Sequence, residues 1–122
     1  MQEYVSLIKL LGHSTRMRIL WLLLFAKQEL CVCELVDVLQ ENQFNVSRHL
    51  RQLKETGLVA SSKKGKWVMY WINDNMDAFK SNLLQAIQEI PESYFSDDVR
   101  RLHERLSQRV EGECVVGLLP AE

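Results

Sequence analysis

Residues 30–58 leave this chain few ways to fold. Leu35, Val36, Val38 and Leu39 supply the apolar side of a short helix, and Gln40-Glu41-Asn42 reads as a tight turn. Asn42 is expected to be an N-cap, its side chain accepting from a backbone N–H that the next helix leaves free. That next helix is expected over residues 43–55, with Gly57 in the left-handed conformation that commonly closes a helix. Val46, Leu50 and Leu53 fall at i, i+4 and i+7 and share one buried stripe. At about 100° per residue the opposite face carries Phe44, Asn45, Arg48, Arg51, Gln52 and Glu55. Two short helices so arranged form a helix-turn-helix, and the polar second helix is the one expected to enter a DNA major groove.

Charge supports the same reading, though only locally. The chain has 122 residues and a formal net charge of −1, which by itself points to no nucleic acid. Yet between residues 43 and 66 there are six basic side chains (Arg48, Arg51, Lys54, Lys63, Lys64, Lys66) and one acidic one, Glu55. A basic patch on an acidic body is the electrostatic footprint of a protein that meets DNA with one face.

The remaining pattern is mainly α. A first helix is expected over residues 2–11, apolar around more of its circumference than a lone surface helix needs, so part of it is expected to meet a partner chain or, nearly as readily, the chain's own core. Gly12 ends it, and Ser14 is the expected cap of a central core helix over residues 15–27, with Arg16 and Arg18 at its front as surface charges. Residues 59–62 and 66–72 read as two strands joined by Lys63-Lys64-Gly65, a basic-tipped hairpin placed as a wing. Two more helices are expected over residues 76–90, stopped by Pro91, and 97–110, capped by Ser96. The fold class is therefore mainly α, a winged helix-turn-helix of five to six helices. Residues 1–92 form the DNA-binding and dimerisation domain, and residues 93–122 a C-terminal helix and tail. With no run of about 20 apolar residues and no signal pattern, the chain is expected to be soluble and cytoplasmic, without a membrane partner. Three cysteines do not suggest a disulfide framework.

Cys31 and Cys33 are two residues apart at the front of the first helix of the motif. Inside a helix, side chains two apart diverge by about 200°, so one ion could not take both sulfurs without distorting the backbone. A helix N-terminus favours the thiolate, which is both ligand and nucleophile, and soft thiolates select thiophilic ions. By spacing alone, two half-buried structural cysteines are an equally good reading.

Glu29-Leu30-Cys31-Val32-Cys33-Glu34-Leu35, with Ser47-Arg48-His49-Leu50, Gly57-Leu58 and Gly65-Lys66-Trp67-Val68-Met69-Tyr70, closely resembles the arsenic-responsive repressors of the ArsR/SmtB family. The likeness covers about residues 5–90. It implies a homodimeric repressor that leaves its operator on binding an ion, with dimer contacts from the first helix and from residues 76–90. It also implies that Cys31 and Cys33 are ligands for As(III) or Sb(III), the inducer. Members of this type can carry a third cysteine three residues after the second, but here that position is Val36. A three-coordinate site would then need Cys114, from either protomer, or a non-protein ligand, whereas two thiolates would suffice for a methyl- or phenyl-substituted arsenical. Residues 76–90 hold no histidine for the site used by zinc-sensing members, and the N-terminal cysteines of cadmium/lead sensors are missing.

On this reading Gln43, Asn45, Ser47, Arg48 and His49 are the candidates for base-edge and backbone contacts. Arg51, Lys63, Lys64 and Lys66 would serve phosphates. A two-fold dimer implies an inverted-repeat operator with half-sites about 10 base pairs apart, or a multiple of that. Metalloid binding at the thiol pair is expected to pull the front of their helix out of helical geometry and so disturb the reading helix. Three alternatives remain: a Cd(II)/Pb(II)-responsive repressor, a thiol-redox-responsive repressor pairing Cys31 or Cys33 with Cys114, and a thiol oxidoreductase. No Cys-x-x-Cys context or acid–base constellation supports the last, and the chain is read as not being an enzyme.

Overall fold

The computed structural model describes residues 1–117. At its centre lies α2 (Ser14–Ala26), whose Ile19, Leu20, Leu22 and Leu23 are at most 1% exposed. A helix apolar on nearly every side has to be wrapped. Around it pack α1 (Gln2–Leu11), α3 (Val32–Leu39), α4 (Gln43–Glu55) and α5 (Ala78–Gln88). A 3₁₀ turn (Glu92–Phe95) leads into α6 (Ser96–Leu106), which lies against α3 and adds Phe95, Val99 and Leu102 to the same core. The α3–turn–α4 unit matches the expected helix-turn-helix. Asn42 Oδ1 accepts from the Asn45 backbone N–H at 2.8 Å, and Gly57 has φ +83°.

The wing is β2 (Val59–Lys64) and β3 (Trp67–Ile72), paired antiparallel from Val59 opposite Ile72 to Lys64 opposite Trp67. Gly65, at φ +60°, opens the two-residue turn and Lys66 completes it, so Lys63 and Lys64 lie on the strand rather than in the turn. A third strand, β1 (Leu30–Cys31), runs along the other side of β3, with Leu30 opposite Tyr70 and Cys31 opposite Met69. Two residues carry no readable alternation, so sequence pattern alone does not reveal such a strand.

Several expected helix ends move. His13, not Ser14, caps α2: its Nδ1 accepts from the Thr15 backbone N–H at 3.2 Å. Asp77 caps α5, which begins two residues later than periodicity suggests. Ser96 caps nothing, because the 3₁₀ turn runs directly into α6. Among the described residues, no helix is long and apolar enough to cross a membrane.

Candidate metal centre and nucleic-acid interface

Cys31 is the last residue of β1 and the N-cap of α3, with extended backbone at φ −74° and ψ 147°, while Cys33 lies in the first helical turn. The boundary between strand and helix falls between the two cysteines, so the divergence expected inside a helix does not arise. Their sulfurs are 2.7 Å apart. The expectation that α3 must unwind before both thiols can face one atom is therefore corrected: they face it already. Cys114 Sγ lies 3.6 Å from Cys33 Sγ, and all three sulfurs lie within 4.8 Å of one another. Cys31, Cys33 and Cys114 are buried with Met69, against Trp67 and Trp71. Among the described residues, these three are the one cluster of His, Cys, Asp or Glu able to hold an ion.

The Cys31 thiol is pulled down to about 6, chiefly because Cys33 donates a hydrogen bond to it, with burial opposing. Cys33 is pushed up by that same bond and by burial, and Cys114 is pushed up mainly by burial. Of the three, Cys31 is the one biased towards the thiolate. The Val116 carbonyl accepts from Cys114 at 3.5 Å and from Cys33 at 3.7 Å.

Two arginines bring the tail to this place. Arg109 forks onto the fully buried Glu34, Nε to Oε2 at 2.7 Å and Nη2 to Oε1 at 2.6 Å. Glu34 Oε1 also accepts the Cys31 backbone N–H at 2.8 Å, half of a capping box that fixes the start of α3. Burial opposes the Arg109 charge, but its bonds to Glu34 outweigh this and hold the guanidinium above its ordinary value. Arg105, 3% exposed, binds Asp37 and donates to the Val116 and Gly117 carbonyls at 2.6 and 2.7 Å. The sequence reading missed both arginines and Glu34. The available signal was Arg101 and Arg105 one helical turn apart, with Arg109 four residues beyond and two acids, Glu34 and Asp37, on the motif's first helix.

The reading helix shows its expected polar face. Gln43, Phe44, Arg48 and Arg51 are exposed, and Asn45 and Ser47 are half-buried. Lys63, Lys64 and Lys66 are exposed on the wing. His49 departs from expectation: its ring is buried, Nδ1 accepts from Arg16 Nε at 3.0 Å, and it lies 4.5 Å from the His13 ring. It faces the interior, because at position 49 the helix has turned towards α2. Burial and the neighbouring positive groups hold its imidazole below the usual value, so it is neutral. Arg16 and Arg18 are not free surface charges either. Arg16 ties Leu10 O to His49 and Gln52 on the reading helix. Arg18 ties Asp98 of α6 to Leu39 O at the end of α3 and to Glu41 in the turn.

The family description "Bacterial regulatory protein, arsR family" matches residues 13–61, the segment holding α2, the thiol pair and the helix-turn-helix. The arsenic resistance transcriptional regulator ArsR1 of Pseudomonas putida is 36% identical over 79% of this chain and 74% of its own length. The chain belongs to the ArsR family. It is thus a helix-turn-helix transcriptional regulator and not an enzyme. Among solved structures, HlyU from Vibrio cholerae N16961 superposes with a TM-score of 0.62 at 28% identity, covering 73% of this chain and 91% of that one. The AntR antimony-specific transcriptional repressor gives 0.56 at 27% identity, covering 70% and 73%.

Proposed function

We propose that this protein is a dimeric repressor that holds operator DNA with α4 and the wing and is released when As(III) or Sb(III) occupies Cys31, Cys33 and Cys114. The observation that carries this reading is the buried convergence of three sulfurs. A soft donor set selects thiophilic centres over hard cations. Arsenious acid, As(OH)₃, exchanging three hydroxides for two thiols and the Cys31 thiolate, with one proton taken from solvent, gives off three waters and leaves no net charge. A divalent cadmium or lead ion on three thiolates would keep a net negative charge among Met69, Trp67 and Trp71, which the trivalent metalloid removes. This balance favours the trivalent metalloids over Cd(II)/Pb(II). It also favours inorganic arsenite over a substituted arsenical, which would leave one of the three thiols idle.

Two exposed surfaces support the other two parts of this reading. Gln43, Asn45, Ser47, Arg48 and Arg51 face outward on α4, with Lys63, Lys64 and Lys66 beside them for phosphates. Tyr4, Val5 and Ile8 are 45%, 36% and 55% exposed, and Tyr4 packs edge-on against Phe79 of α5 at 4.8 Å. These exposed apolar side chains of α1, with Phe79 beside them, are the surface we assign to the second protomer. Side-chain bonds at both ends of α3 and from α2 to α4 support a path from the thiols to the reading helix. Glu34 joins Cys31 and Arg109 to α3, and Arg18 and Arg101 hold the Leu39 and Val38 carbonyls at the far end of α3. Arg16 then grips α4.

The test is titration of arsenite, antimonite, Cd(II) and Pb(II) into the protein bound to labelled DNA from upstream of its coding region. Release by the two metalloids at the lowest concentrations is expected, and from Cys33→Ser none at those concentrations. Retention of the operator at saturating arsenite and antimonite would overturn the reading.

A further inference from the structure

The thiol site is built on the wing as much as on α3. Cys31 belongs to β1, and its neighbour across the sheet is Met69 of β3, which is buried against the sulfurs. Two residues earlier on β3 is Trp67, half-buried beside the same cluster. The tail that brings Cys114 continues over this ring: a Cβ added to Gly117 would stand 3.5 Å from it. Lys66 Nζ lies over the same ring, 4.9 Å from its centroid. Beyond that, Lys64 pairs with Glu29, whose carbonyl accepts from Arg109 at 2.9 Å. Both wing-tip lysines are thus held by groups one contact away from a cysteine or from the arginine that anchors the tail.

Occupancy must move these groups. Two sulfurs each about 2.3 Å from one centre and about 100° apart lie about 3.5 Å from each other. Cys31 and Cys33 stand at 2.7 Å, whereas Cys33 and Cys114, at 3.6 Å, already have that spacing. Loading therefore spreads the first pair, and the tail that carries Cys114 adjusts with it. Cys33 is fixed in a helical turn. The adjustable partners are Cys31, on a two-residue strand held by β3, and residues 114–117, which lie against Trp67.

We propose that Trp67 is a positioning residue for the release of DNA, passing the state of the thiols to Lys66 and Lys64 at the wing tip. This rests on the functional reading above and names where its signal leaves the site. When the thiols are free, Trp67 holds Lys66 towards phosphate. When they are joined, the shifted tail and β1 turn the ring, and the wing gives up phosphate contacts.

The experiment compares wild type, Trp67→Phe and Trp67→Ala in three readouts: arsenite binding followed by sulfur–arsenic absorbance, operator affinity with and without arsenite, and the dependence of that affinity on salt. Each phosphate contact contributes about 0.9 to the salt slope. Loss of Lys64 and Lys66 contacts on loading should therefore lower the wild-type slope by about 2 per protomer. In Trp67→Ala the weakening of DNA binding by arsenite should shrink at least fivefold, and the slope should no longer change on loading. Comparison is made at saturating arsenite for each variant, so that lost coupling is separated from weakened arsenite binding, and Trp67→Phe, keeping a ring in place, should recover part of the coupling. Trp67→Ala that releases DNA as wild type does, or a wild-type slope that does not change on loading, overturns the proposal and leaves the functional reading intact. Wild type that is not released at all overturns that reading itself, and this inference with it. Should Trp67→Ala fail to fold, the wild-type slope and Trp67→Phe decide alone.

Discussion

The two working regions of this protein are made in opposite ways. The reading surface is one stretch of chain: a capped helix whose outward side chains project at fixed angles because the helix repeats. The thiol site takes one side chain each from a strand, a helical turn and a tail 81 residues away, and it is enclosed by buried ion pairs. Substitutions on the first region should therefore change binding and little else. Substitutions around the second should change stability, ligand affinity and DNA release together, because the same bonds carry all three. The contrast can be broken or sharpened by experiment.

The largest effect is expected at the Arg109–Glu34 pair. Arg109→Met leaves a fully buried carboxylate without its partner, a loss of about 3–5 kcal/mol in urea unfolding. It should also weaken arsenite binding, since the tail loses its anchor. Unchanged stability would show that the site is not a structural keystone. Next is Cys33→Ser, whose sulfur touches both others. Arsenite should need at least 100-fold higher concentration to release DNA, while operator affinity in its absence stays within about twofold. If Cys114→Ser matches this loss, all three sulfurs act together, whereas no loss would reduce the site to a pair.

On the reading surface, Arg48→Ala should weaken operator binding by about 1–3 kcal/mol and shift unfolding by less than about 0.5 kcal/mol. A large stability loss there would erase the contrast. Lys63→Gln should lower affinity similarly for all DNA sequences and reduce the salt slope by about 1.

The smallest expected effect is on pH. His49 is buried, and its folded value is depressed below the usual 6.5. The folded state therefore binds fewer protons than the unfolded one, and stability rises with pH across this titration. It should be complete above about pH 6.5 and fall as the solution becomes more acidic. His49→Gln should flatten that part of the stability profile, and an unaltered profile would place the acid sensitivity elsewhere.

Legibility follows the same division. The helix-turn-helix, its Asn42 cap, the Gly57 closure and the hairpin were readable, because each depends on residues within one or two turns of each other. Gln43, Asn45, Ser47, Arg48, Arg51 and the three wing lysines come out on the accessible side, as helical and strand periodicity require. His49 was misplaced because a residue at the edge of a stripe can face either way, and the proximity of Arg16 and His13 decides it. Arg16 and Arg18 were misread for the same reason.

By itself the sequence determined the family, the motif and the presence of two sulfurs at a helix start, since local spacing is enough for all three. It did not determine how those sulfurs meet. That depends on β1 pairing with β3, which puts Cys31 outside the helix, and on Arg105 and Arg109 folding the tail onto α3. Only tertiary structure could decide this, because loop closure over 81 residues is driven by buried charge pairing and apolar contact, and neither leaves a periodic trace along the chain.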